Sequence, residues 1–288
     1  MGSPPMVTTN SAPGLRRLLR LAGAYAMILA LAAGAIVLPA VPAHAADPIT
    51  AADQSYFAYY HLDQARAKGY TGKGVTIALI DGEVDTTVPE LAGATIIDKS
   101  PCTVTSSPFS KTHGTAIASL LVSKTYGVAP DATLLTYRTS LADDGDESGN
   151  ECAFRNGNPI EDPTSLINRA ISDGAQIISI SSSDENFDDS TKWAIARANA
   201  LGVIVVSPMG NDAKDETNNG YSKWSGVVGV GAIDTTGKVA DYSSWGQGTT
   251  TAAVGGPIIV RNYETGNKAA ADGTSYSTPL IAGFLALA

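Results

Sequence analysis

Five short runs dominated by valine, isoleucine and leucine punctuate this chain: VTIALI (75–80), TLLTYR (133–138), QIISIS (176–181), VIVVS (203–207) and VVGVGA (227–232). They are nearly continuous in apolar character rather than alternating, so they call for burial on both faces. Helix-like runs lie between several of them, among them 112–124, 164–172 and 190–201. The last two end at Gly174 and Gly202, which are stop signals for a helix. Buried strands alternating with helices require a mainly parallel sheet flanked by helices, an α/β three-layer fold. In such sheets functional groups collect at the carboxyl ends of the strands.

Residues 1–45 stand apart from this pattern. Arg16, Arg17 and Arg20 precede an uncharged apolar run at 21–38, and Ala43-His44-Ala45 fits an A-x-A cleavage site. The segment reads as a secretory signal peptide cleaved after Ala45. Its apolar run is also long enough for an uncleaved membrane anchor, and Arg16-Arg17 is compatible with twin-arginine export. Losing three of the 19 basic residues leaves 16 against 28 acidic ones, and takes the formal charge from −9 to −12. An exported chain this acidic is not expected to hold nucleic acid or an anionic membrane surface by charge. The rest, a lead-in at 46–74 and a domain at 75–288, is long enough for one substantial core. Its two cysteines, Cys102 and Cys152, are expected to form a disulfide in an oxidising compartment. Two unpaired buried thiols are the other reading. The loop closure would contribute about 4 kcal/mol in the chain-entropy picture.

Four residues near strand ends or helix starts carry chemistry, and each has an ordinary explanation alone. Asp81 directly follows VTIALI and could cap a turn. His113, in THGTAIASLL, opens the next helix-like run and could be a surface residue, as His61 is taken to be. Asn211, in SPMGND, could form a turn. Ser275, in DGTSYSTPLIAG, could cap the last helix, with Pro279 fitting a helix start. Together they supply what acyl transfer needs: a hydroxyl nucleophile, an imidazole to take its proton, a carboxylate to fix the imidazole, and donors for the oxyanion.

The order Asp, His, Ser is that of the subtilisins. Three blocks, VTIALIDGEVDTTVPEL, HGTAIASL and GTSYSTPLIAG, make the chain resemble the subtilisin-like serine proteases (subtilases, peptidase family S8) from about Tyr70 onward. GVIVVSPMGND and VVGVGAIDTTGKVADYSSWG support the likeness. The resemblance implies a secreted serine endopeptidase acting on polypeptides. Ser275 would be the nucleophile, His113 the general base and acid, and Asp81 the orienting carboxylate. Asn211 and the Ser275 amide would form the oxyanion hole. Substrate would add as a strand beside ISISSS, with Ser181, Ser183 and Gly210 near the pocket for the residue before the scissile bond. No cofactor is required. Calcium, a common stabiliser in the family, is one reading of Asp143, Asp144, Asp146 and Glu147 in the acidic loop 142–151. A solvated loop, or one that attracts basic substrates, are the others.

Several positions depart from the family pattern. Gly82 and Glu83 stand where Ser or Thr and then Gly are usual, so Glu83 is expected to be strained if that site needs positive φ. Ser119 replaces a helix glycine, Ser183 and Asp184 follow the substrate strand, and Pro208 interrupts a small-residue run. A shallow pocket favouring small side chains is the expectation. The lead-in is shorter than the pro-domain of many subtilases and resembles the mycosins, actinobacterial members. The chain stops within the helix after Ser275, so a truncated C-terminus is expected, with a membrane anchor as one reading of the missing tail. Two rival readings are a subtilase-like binding protein with weak or no turnover, and a serine esterase. The lack of a G-x-S-x-G elbow weighs against an α/β-hydrolase esterase.

Overall fold

The computed structural model describes residues 47–101, 106–139, 141, 162–182, 189–216 and 220–288. Residues 1–45, Cys102, Cys152, the acidic loop 142–151 and Ser183 lie outside the described residues.

Seven parallel strands form the central sheet: β1 (Thr76–Asp81), β2 (Thr95–Asp98), β3 (Thr133–Arg138), β4 (Ile177–Ile180), β5 (Ile204–Pro208), β6 (Val227–Ile233) and β7 (Thr249–Val254). Their order is β2-β3-β1-β4-β5-β6-β7, and an antiparallel hairpin of β8 (Ile258–Arg261) and β9 (Lys268–Ala271) follows. The helices are α1 (Ser55–Tyr59), α2 (Leu62–Ala67), α3 (Pro108–Val122), α4 (Pro163–Ser172), α5 (Asp189–Ala200) and α6 (Thr274–Leu287).

Two cores explain why the strands read as unbroken apolar runs. Ile77 and Leu79 of β1 join Ile177, Val206 and Val230 in a core with α3 and α6. Ala78 and Ile80 point the other way, to Ile178, Val205, and Leu166, Ile167, Ala194 and Ile195 of α4 and α5. Successive residues thus enter opposite layers, and neither face has room for a polar alternation.

The sheet is larger than the apolar runs indicate. β2 and β7 are edge strands, and TIID and TTTAAV are partly exposed, so neither needs the uniform apolarity of a central strand. Helix α3 begins at Pro108, four residues before the expected start, because the Ser107 hydroxyl caps it by accepting from the Ser110 amide at 3.1 Å. His113 therefore lies in the second turn, not at the opening of the helix. Pro208, the last residue of β5, lies beyond the last paired residue of β4 on that side, so its missing N–H breaks no ladder bond to β4.

The lead-in is tied to the hairpin and the sheet. Gln54 donates to the Ile259 carbonyl at 2.8 Å and accepts from its amide at 3.2 Å. Tyr60 accepts from the Val254 amide at 2.9 Å. The Ile49 amide donates to Glu90, whose carboxylate also pairs with Arg261 at 2.6 Å. The Glu90 and Arg261 side chains are 2% and 11% exposed. Arg261→Met would leave the carboxylate buried and unpaired, so a loss of about 3 kcal/mol is expected. Urea unfolding of the two proteins measures it.

Candidate active site

Asp81 is the last residue of central strand β1, one position earlier in the structure than a residue trailing the strand. Its Oδ1 accepts from the Gly82 amide at 2.7 Å and meets His113 Nδ1 at 2.8 Å. A carboxylate can only accept, so the neutral imidazole carries its proton on Nδ1 and leaves Nε2 as the basic nitrogen. The Asp81 side chain is fully buried and that of His113 is 9% exposed. Burial alone would lower the His113 pKa. The charge of Asp81 and its hydrogen bond outweigh this, and hold the pKa above the ordinary histidine value.

The loop after Asp81 lies directly against α3. A Cβ on Gly114 would stand 2.6 Å from the carbonyl oxygens of both Gly82 and Glu83, so only glycine beside His113 permits this approach. Phe109 stacks on the imidazole with centroids 6.0 Å apart, and Tyr276 of α6 lies 5.5 Å from it. Tyr276 directly follows Ser275, so this contact brings the start of α6 to His113.

Ser275 is the second residue of α6 and does not cap it. The N-cap is Gly273, which has no side chain to offer. Asn211 supplies the missing acceptor: its Oδ1 takes hydrogen bonds from the Thr274 amide at 2.8 Å and the Thr274 hydroxyl at 2.9 Å. The hydroxyl in turn accepts from the Gly210 amide at 3.2 Å. An amide N–H can only donate, so the Asn211 oxygen must face Thr274 and its Nδ2 group is left to point elsewhere. A Cβ built on Gly273 would lie 3.1 Å from Ser275 Oγ and 3.4 Å from Asn211 Nδ2, so both atoms border one small space. Pro279, four residues after Ser275, is inside the helix rather than at its start, and gives no N–H to the Ser275 carbonyl.

Ser181 is buried just beyond β4, and among the described residues its hydroxyl has no hydrogen-bond partner. Gly210 is partly buried beside Asn211. Glu83 carries none of the expected strain: among the described non-glycine residues, only His61 and Ala213 have positive φ. Its carboxylate instead faces Lys111 at 3.5 Å and Arg138 at 3.6 Å. Ser119 satisfies its hydroxyl on the Thr115 carbonyl at 2.8 Å. Among the described residues no His, Cys, Asp and Glu group could hold a metal ion, and no helix is long and apolar enough to cross a membrane.

Sequence reasoning missed Thr274, which orients Asn211, and Tyr276, which links α6 to His113. A threonine directly before Ser275 was visible, but its partner is 63 residues away and no local pattern announces it.

Residues 72–288 match the Subtilase family of S8 peptidases, and the chain belongs to that family. It is 29% identical over 238 residues to the thermostable alkaline protease of Halalkalibacterium halodurans, covering 80% of this chain and 60% of that protein. It is 28% identical over 246 residues to subtilisin E of Bacillus subtilis, covering 79% of this chain and 60% of subtilisin E. The chain thus spans about 60% of the length of these curated relatives. Among solved structures, the prenylagaramide maturation protease PagA superposes with a TM-score of 0.64 at 25% identity, covering 78% of each chain. A cold-adapted subtilisin-like serine proteinase shares the fold, with a TM-score of 0.60 at 22% identity over 75% of this chain and 76% of its own.

Proposed function

We propose that this subtilase is an exported serine endopeptidase that cleaves polypeptides through an acyl-enzyme. The reading is supported by the 2.8 Å His113–Asp81 pair, by the contact of its imidazole with Tyr276, the neighbour of a half-buried Ser275, and by the Ser275 Oγ bordering the same small space as the Asn211 amide nitrogen. In this reading Ser275 Oγ attacks the scissile carbonyl carbon as His113 Nε2 takes its proton. The carbonyl oxygen becomes an oxyanion held by Asn211 Nδ2–H and the Ser275 N–H at the start of α6. Collapse breaks the C–N bond, and His113 returns the proton to the leaving amine. Water, deprotonated by the same imidazole, then releases the acid and frees Ser275.

Substrate is read as an added strand beside ISISSS (178–183), with Ser181, Ser183 and Gly210 near the residue before the cut. No cofactor takes part. A Cys102–Cys152 disulfide and removal of residues 1–45 belong to the same reading of an exported enzyme, and the acidic loop 142–151 is taken as solvated, with calcium as the lesser alternative.

Asn211→Asp keeps the oxygen that caps Thr274 but replaces the donor with an acceptor. A fall in kcat of about 10²–10³-fold is expected with KM little changed, read from steady-state kinetics on a peptide substrate. The endopeptidase reading is tested by comparing casein with a short-chain p-nitrophenyl ester. Internal peptide cleavage that disappears in His113→Ala supports it. Ester hydrolysis with no peptide cleavage would establish the esterase instead.

A further inference from the structure

We propose that Lys111 is a positioning residue which, with Glu83, Asp85 and Tyr263, clamps the loop after Asp81 onto α3 and so holds His113 at bonding distance from Asp81. This rests on His113 and Asp81 being the catalytic pair. The Lys111 ammonium lies 3.5 Å from Glu83 Oε1, 3.4 Å from Asp85 Oδ2 and 4.9 Å from the centre of the Tyr263 ring. Asp85 Oδ2 also accepts from the Tyr263 hydroxyl at 2.8 Å. Arg138 lies 3.6 Å from the other Glu83 oxygen, and in the β1–β3 register it is the neighbour of Asp81.

The residues around His113 on α3 are tied to the same parts. Thr112 Oγ1 accepts from the Tyr263 amide at 2.9 Å, and Thr115 Oγ1 accepts from the Asp85 amide at 3.0 Å. Lys111, Thr112 and Thr115 therefore bracket His113 and grip one loop and one hairpin turn. The backbone contact between loop and helix is made at Gly82 and Gly114, which allow close approach but supply no side chains to interlock. Glu83, the departure from the family pattern, thus provides an anchor where a glycine would provide none.

Removing Lys111 would leave Glu83 and Asp85, two like charges on one short loop, with their shared counter-charge gone. The side chains are 17–31% exposed, and ion pairs so placed contribute little to global stability. The cost is expected in catalytic geometry, where a small displacement of a reacting group is amplified.

The test compares Lys111→Met, Lys111→Arg and wild type in the full chain. Readouts are kcat and KM on a peptide, the melting temperature, and the downfield proton NMR signal of His113 Nδ1–H. Lys111→Met is expected to lower kcat about tenfold, with KM and melting temperature unchanged and the NMR signal shifted or broadened. Lys111→Arg should restore most of the rate. Unchanged kcat and NMR signal, or a rate lost only in step with folded protein, would overturn the proposal. If Lys111→Met does not fold, Tyr263→Phe, which removes the hydroxyl that bonds Asp85 and Thr115 of the same clamp, carries the same expectations. The NMR signal reads the clamp even if wild type cleaves no peptide, so a wrong enzyme assignment and a wrong clamp give different results.

Discussion

Ser275→Ala is expected to lower kcat on the order of 10⁶-fold, the size of loss found when the nucleophile is removed from a subtilisin. The same change should leave the fold intact. Gly273, not Ser275, is the N-cap of α6, and the capping oxygen comes from Asn211. The Ser275 side chain is half-buried and carries no cap bond whose loss would cost stability. Deleting it should move stability by no more than about 0.5 kcal/mol. Single-turnover kinetics on a peptide, with urea unfolding alongside, separates the two effects. A large loss of stability would mean that the serine is structural.

Asp81→Asn is expected to lower kcat about 10⁴-fold, as an asparagine in the orienting position favours the wrong imidazole tautomer. It should also change the pH response. In the wild type, Asp81 holds the His113 pKa above the ordinary value of about 6.5. The general base must be neutral, so kcat/KM should rise with pH through that raised pKa. With the charge removed, burial becomes the dominant influence, the pKa falls, and the acid limb of the residual activity moves to lower pH.

Stability should run the opposite way over the same window. A histidine whose pKa is raised by folding contributes stability that is fully present below its unfolded pKa, and that contribution is lost as pH rises through the folded pKa. Wild type should therefore lose this contribution between about pH 6.5 and the raised value while it gains activity. Asp81→Asn should abolish that loss. Urea unfolding and kcat/KM profiles on one pH series test both signs.

The central strands and the order of candidate groups were legible in the sequence for a physical reason. β1, β3, β4, β5 and β6 are covered on both faces, so burial writes itself into nearly every residue. Edge strands β2 and β7 left fainter traces because solvent tolerates TIID and TTTAAV. The start of α3 was misjudged because Ser107-Pro108 is a cap and first-turn signal outside the apolar stretch that marked the helix. Within the site, Asp81 and His113 were visible because each sits in a compact block. The Thr274–Asn211 bond and the Lys111 cluster were not, since they join residues from distant segments. Glu83 shows the limit most clearly. By pattern it would be strained if its site needed positive φ, whereas in the fold its backbone avoids positive φ and its carboxylate pairs with Lys111 and Arg138.

The most direct test of an assembled triad is reaction of the folded, full chain with a fluorophosphonate, followed by mass spectrometry to locate the adduct. A single adduct on Ser275, formed in wild type and absent from His113→Ala, is the expected result. A folded wild type that takes no label, or an adduct at another residue, would contradict it.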